Sequence, residues 1–331
     1  MKLEMSRTIA LVLGSMLAMG SIVSMSTPSL AQSYPTRPIR LIVPQAPGGQ
    51  SDVIGRIVAE RLSEILRQPV FVENRGGIGG TIGAEAAAKA PADGYTLLLA
   101  GSNNLGLATI LIKDLRYTVR DFAPVGAIAR VSYALAVRPA IPATTIAELV
   151  AHARAHPGEL NYGSSGVGST SSLGFELLKR AANIDIVHIP YKGSAIAVGE
   201  LVSGRIDMVF ADLALLAPLA NDGSLRLIAV AGTGRSSAAP DVRTVAEQGY
   251  PELAIEPWYG IVVPAGTPNA IVEKLSVALV QTLRTPAVRQ RFDRLGYSPI
   301  ETNPEQLAAL IRTEIKTFEA LVGQMGIEAQ R

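Results

Sequence analysis

The chain has 331 residues, 48% of them hydrophobic, and a formal net charge of +2. That is enough chain for about two domains with buried cores, and the near-neutral balance leaves no electrostatic footprint for nucleic acid. Cysteine is absent, which excludes disulfides, thiolate metal sites, cysteine nucleophiles and lipid attachment through an N-terminal cysteine.

Lys2 and Arg7 precede an apolar run over 9–25, and Ser29-Leu30-Ala31 supplies a small-x-small cleavage site. The pattern predicts a secretory signal over 1–31 and a mature chain starting at Gln32. A membrane anchor is the competing reading, but Gly14, Ser15, Gly20, Ser21 and Ser24 interrupt the run. Cleavage removes Lys2, Arg7 and Glu4, and the product is expected to be a soluble periplasmic monomer.

From Gln32 onward strand and helix signals alternate, which predicts an α/β protein with mainly parallel sheets. Ile39, Leu41, Ile42 and Val43 read as a buried strand that Pro44 ends. Val53, Ile54, Ile57, Val58, Leu62, Ile65 and Leu66 then recur at helical spacing, with Ser51 or Asp52 as expected N-cap. Between them lie Ala46, Pro47, Gly48, Gly49 and Gln50. The glycines permit close backbone approach, and the first-turn amides are unpaired donors, so this turn is a candidate anion site. Asp52 must turn away as a cap or meet a polar group of the ligand.

A strand over 70–73 leads to GGIGGTIG (76–83), a helix over 84–90 and a strand over 95–99. The next strand-to-helix loop contains Ser102 and Asn103. The apolar stretch 125–137 and the run 255–263 read as two crossings between domains, giving 32–130 with 255–331 as one domain and 131–254 as the other. Thr145-x-x-Glu148 and Thr244-x-x-Glu247 read as capping boxes. Thr267 and Asn303 read as caps, with Pro268 and Pro304 at first helical positions.

YGSSGVGSTSSL (162–173) is the second informative loop. Ser164, Ser165, Ser169, Thr170, Ser171 and Ser172 crowd hydroxyls beside Gly163, Gly166 and Gly168 just where a helix begins, a composition that also suits a flexible linker. Two such loops in separate α/β units can each hold one end of a small anion. Catalytic signatures fail: Ile82 spoils a dinucleotide fingerprint, Val167 spoils G-x-S-x-G, and there is no Walker lysine. Glu148, His152 and His156 share a helix face but read as a solvated trio, and His188 reads as a core residue. Neither cofactor nor metal is expected.

The residues also carry a likeness. Val43-Pro with Ala46-Pro-Gly-Gly and Asp52, Glu73-Asn-Arg with Gly79-Gly, Asp93-Gly-Tyr-Thr-Leu-Leu, Asn161-Tyr with Ser164-Ser-Gly and Gly168-Ser, His188-Ile-Pro-Tyr-Lys-Gly-Ser and Val263-Pro-Ala-Gly-Thr-Pro occur in this order. The mature chain resembles the tripartite tricarboxylate transporter substrate-binding family, or Bug receptors. The resemblance implies a type II periplasmic-binding-protein-like fold, two α/β domains joined by two crossovers, closing on a small carboxylated solute without catalysis and serving membrane transporter subunits. It places the ligand loops on 46–52 and 164–172 and adds Asp212 as a contact. Gln45 stands where the family has an aromatic residue, and Ser172 where it has His. A sensor for a membrane signalling partner and an exported enzyme using the same cleft are the alternatives.

Overall fold

The apolar run and the helical stripe that follows it form the first unit. In the computed structural model, which describes residues 34–325 apart from Thr233, β1 (Ile39–Val43) leads into α1 (Gln50–Leu66). The signal assigned to 1–31 lies outside the described residues. Ile54, Ile57, Val58, Leu62 and Leu66 are buried, and each such side chain contributes roughly 1.5–3 kcal/mol. Gly55 sets how closely α1 approaches the sheet, because a Cβ there would lie 2.7 Å from Val43 Cγ2.

The chain continues through β2 (Val70–Asn74), α2 (Thr81–Ala88), β3 (Thr96–Gly101), a π-helical turn over Ser102–Leu107, α3 (Ala108–Leu111) and β4 (Phe122–Val131). It then changes sheet at Ser132. β5 (Tyr133–Val137), α4 (Ile146–Ala155), β6 (Asn161–Ser164), α5 (Thr170–Ala182), β7 (Val187–Pro190), α6 (Ser194–Val202), β8 (Met208–Asp212), α7 (Leu213–Asn221) and β9 (Arg226–Val230) follow. β10 (Trp258–Pro264) returns to the first sheet, and α8 (Asn269–Arg284), α9 (Pro286–Arg294), β11 (Tyr297–Pro299) and α10 (Pro304–Met325) complete the chain.

One sheet has the order β11-β4-β10-β3-β1-β2 and the other β7-β6-β8-β5-β9. The expectation of mainly parallel sheets needs correction. β1 is parallel to β2 and β3, and β6 to β7 and β8, but β10 runs antiparallel to β3 and β4, β11 to β4, and β5 to β8 and β9. The reason is connectivity: β5 and β10 enter from the other sheet rather than through a βαβ crossover, so nothing forces parallel pairing. Because βα connections return the parallel strands in one direction, their loops gather at the strand C-terminal ends, where α1 and α5 begin.

The caps differ in part from the sequence reading. Asn303 and Gln306 exchange bonds of 2.8 and 2.9 Å at the start of α10. The Thr244–Glu247 box forms, but it closes only a 3-10 turn (Ala246–Gln248), because Gly249 at φ +89° turns the chain away. Thr267 donates to the Pro264 carbonyl instead of capping α8, and Pro268 is itself the N-cap. Among the described residues no helix is long and apolar enough to cross a membrane.

Candidate functional site

The first loop joins β1 to α1. Gly48 adopts φ +79°, a left-handed conformation that disfavours any Cβ. The N-cap is Gly49, without a side-chain bond, and not Ser51 or Asp52 as the sequence suggested. Asp52 is turned back into the loop. Its Oδ2 accepts from the Gly48 amide at 3.0 Å and from Arg56 Nε at 2.9 Å, while Oδ1 accepts from Asn74 Nδ2 at 2.9 Å. Burial opposes its charge, but the bonds from Arg56, Gly48 and Asn74 together outweigh it and hold the carboxyl below its usual range. The negative charge at this helix start is therefore already compensated.

Gln45 and Gln50 flank the glycines and are 5% and 1% exposed. Gln50 Oε1 accepts from the Tyr259 hydroxyl at 3.0 Å. Among the described residues, Gln45 Oε1 and Gln50 Nε2 are the two fully buried side-chain polar atoms that lack a partner.

The second loop joins β6 to α5 and is shorter than its composition suggests. Thr170, Ser171 and Ser172 already belong to the first turn of α5, and Ser169 is its N-cap. Ser169 Oγ accepts from the Ser172 amide at 3.3 Å and donates to the Gly166 carbonyl at 2.6 Å. Ser171 Oγ is the hub: it lies 2.9 Å from the Ser165 amide, 3.1 Å from Ser165 Oγ and 2.9 Å from Ser169 Oγ. Ser164 Oγ meets His188 Nε2 at 2.6 Å. His188 is half-buried on the edge strand β7, stacked on Tyr162, and burial lowers its affinity for a proton. Most of the loop's hydroxyls thus bind one another or the Gly166 backbone, which leaves Val167 and Gly168 to present backbone.

Loops from the two sheets meet. A Cβ on Gly79 would lie 2.9 Å from the Val167 carbonyl oxygen, and one on Gly166 would lie 2.8 Å from the Gly79 amide nitrogen. Gly193 faces Ala46, with 3.5 Å from its Cβ position to Ala46 Cβ, and the Gly49 Cβ position lies 3.7 Å from Ser194 Oγ. Asn103 Oδ1 accepts from the amide and hydroxyl of Thr170 at 2.8 and 2.7 Å, tying the π-helical turn to the start of α5. The structure therefore brings Ala46 and Gly49 beside the Gly193-Ser194 turn, and Gly79 and Asn103 beside the 164–172 loop.

Two expected contacts have other employment. Ser102 Oγ donates to Glu314 Oε1 at 2.7 Å and accepts from the Trp258 amide at 3.1 Å, while Trp258 Nε1 donates to Glu314 Oε2 at 2.6 Å. Burial pushes the Glu314 carboxyl up to about 7 against the bonds from Ser102 and Trp258. Asp212 caps α7 through the Ala214 amide at 3.1 Å and accepts from the Tyr297 hydroxyl at 2.7 Å, which ties β8 in one sheet to β11 in the other. Burial pushes its carboxyl up to about 7. The Glu148, His152 and His156 trio is also otherwise engaged: Glu148 accepts from Thr144, and His156 Nδ1 bonds the His152 carbonyl oxygen. Among the described residues no group of three His, Asp or Glu side chains is placed to hold a metal.

The sequence places Ser171 in the second loop, but its reading missed Ser194 and Glu314 as parts of this region. Ser194 was findable, since Gly193-Ser194 repeats the strand-turn-helix signature at β7 and α6. A cavity of about 630 Å³ opens beside the loop contact, lined among others by Gly77, Ile82, Tyr117, Val167, Tyr191 and Lys192. It shares only Gly166 and Val167 with the second loop.

Comparison with known proteins follows the same outline. Residues 54–327 match the family described as the tripartite tricarboxylate transporter family receptor. BugT of Bordetella pertussis is 36% identical over 98% of this chain and 99% of its own. An R. palustris protein solved with adipate is 34% identical, covering 89% of this chain and 99% of its own at a TM-score of 0.86. MatC from Rhodopseudomonas palustris, solved with bound malate, is 32% identical over 87% of this chain and all of its own, at a TM-score of 0.82. The chain belongs to the tripartite tricarboxylate transporter receptor family, whose members are periplasmic solute-binding receptors and not enzymes.

Proposed function

We propose that the chain is exported by a signal over 1–31, works as a monomer, and captures a small carboxylated solute between the 46–52 and 164–172 loops for delivery to a tripartite tricarboxylate transporter. The observation that supports this reading is that each loop lies at a contact between turns of the two sheets, Gly49 beside Ser194 and Gly166 beside Gly79, among buried polar groups. α1 and α5 have 17 and 13 residues, long enough for their dipoles to attract an anion at their starts, although Asn103 and Ser169 take the Thr170 and Ser172 amides of α5. Compensation of Asp52 by Arg56 and Asn74 removes the repulsion that a bare carboxylate there would exert. The relatives solved with adipate and malate point to dicarboxylates as the class.

Two lobes, 32–130 with 255–331 and 131–254, open and close about Ser132 and the return segment before β10. Glycines at the contact points then let backbone meet backbone when the lobes close. A thermal-shift screen of four- to six-carbon organic acids tests the reading. At a hundredfold excess over Kd the bound acid contributes about 2.7 kcal/mol and raises the melting temperature, and small-angle scattering shows a smaller radius of gyration. Failure of every acid to shift the melt, or unchanged scattering at saturation, contradicts it.

A further inference from the structure

Gln45 Oε1 and Gln50 Nε2 stand apart from the other buried polar atoms of the described chain because neither has a partner. Native proteins rarely leave such atoms unpaired, since a buried donor or acceptor has given up its water for nothing. Both belong to one short segment on either side of Gly49. Gln45 Oε1 lies 3.5 Å from the position a Gly49 Cβ would take, and Ser194 Oγ of the facing loop lies 3.7 Å from that same point. The unpaired oxygen therefore sits where the two sheets' loops face each other.

The orientation of Gln50 follows from its neighbours. The hydroxyls of Ser51 and Tyr133 are hydrogen-bonding neighbours of the Tyr259 oxygen, so Tyr259 turns its own proton to Gln50 Oε1 at 3.0 Å. This directs Nε2 the other way as a free donor. A free donor asks for an acceptor, which a carboxylate supplies. Gln45 Oε1 is the opposite case: an acceptor asks for a donor, and a plain dicarboxylate has none to offer.

We propose that Gln45 and Gln50 together select a carboxylic acid that also carries a hydrogen-bond donor, a hydroxy or amino acid, with Gln50 Nε2 on a carboxylate oxygen and Gln45 Oε1 on the hydroxyl or ammonium. The proposal rests on the carboxylate-receptor reading above and narrows its substrate class. An apolar or aromatic side chain at position 45 has no acceptor to offer, so the preference belongs to Gln45 and not to the loop backbone.

Matched pairs that differ by one hydroxyl test it by calorimetry: succinate with malate, glutarate with 2-hydroxyglutarate, adipate with 2-hydroxyadipate. The hydroxy member of the pair with the best-fitting length binds about tenfold more tightly, the yield of one neutral hydrogen bond. Gln45→Met, close in shape but without the acceptor, brings that ratio to about one, while Gln50→Leu weakens both members together. Equal or tighter binding of the plain acid in every pair overturns the inference and leaves the receptor reading standing. If no member of any pair binds, the receptor reading falls and this inference with it. A preference that survives in folded Gln45→Met assigns the acceptor elsewhere and also overturns the proposal.

Discussion

Gly49→Val is expected to lower affinity for any carboxylate at least a hundredfold while leaving the fold in place. The backbone does not resist the change, because Gly49 lies at φ −79° and ψ 170°, an extended conformation open to valine. The Cβ itself fits as well. Its position is 3.5 Å from Gln45 Oε1 and the Ala46 carbonyl oxygen and 3.7 Å from Ser194 Oγ, all ordinary contact distances. The two γ-carbons of valine go beyond this and occupy the space that Gln45 and Ser194 face, where the ligand must approach the first turn of α1. The cost to the fold is limited to a poorer N-cap, at most about 1 kcal/mol. Gly49→Ala, which adds only the tolerated Cβ, is expected to fall between. Calorimetry paired with circular dichroism reads both effects, and wild-type affinity in folded Gly49→Val removes the first loop from the site.

The second large effect concerns stability against pH. Asp212 is 1% exposed, and burial lifts its carboxyl to about 7 from an ordinary 3.8. Tyr133, Tyr259 and Tyr297 surround it, and the bonds from Tyr297 and Ala214 recover only part of the lost hydration. A carboxyl whose folded value is raised contributes its full stability below the unfolded value and loses it as pH rises through the folded value. Between pH 4 and 7 Asp212 therefore withdraws about 4 kcal/mol. Asp212→Asn keeps an acceptor for the Ala214 amide and offers Nδ2 to the Tyr297 oxygen. Urea denaturation should place the variant close to wild type at pH 4 and several kcal/mol above it at pH 8. Parallel pH profiles for the two proteins would show that the folded chain leaves the Asp212 carboxyl at its ordinary value and would contradict this reading.

What the sequence makes legible is local. The β1 run, the α1 stripe and the glycines between them are read within a window of about 25 residues, and the loop-to-helix organisation follows from that window. The cap of α1 is not legible in this way. Asp52 is a good cap by type, but Asn74, on the next strand, and Arg56 draw its carboxylate into the loop and leave Gly49 as N-cap. The 162–173 loop shows the same limit. Its hydroxyls read as available to a ligand, whereas the turn folds Ser171 onto Ser165 and Ser169 and uses them internally. Ser102 and Glu314 lie 212 positions apart, and Asp212 and Tyr297 lie 85 apart. No periodicity links such pairs, because only the packing of α10 on the first sheet, or of β8 against β11, brings them together.

The most direct test of the account compares one acid with its neutral diamide. Calorimetry is run on the wild-type protein with the organic acid that shifts its melt most and with the corresponding diamide, which has the same length and similar shape but no charge. Hydrogen bonds from loop amides to a charged group are worth roughly twice those to a neutral one, about 1.5–3 kcal/mol against 0.5–1.5 kcal/mol, and several act together. Micromolar binding of the acid and at least hundredfold weaker binding of the diamide is the predicted result. A diamide that binds as tightly as its acid would contradict capture of a carboxylate between the two loops.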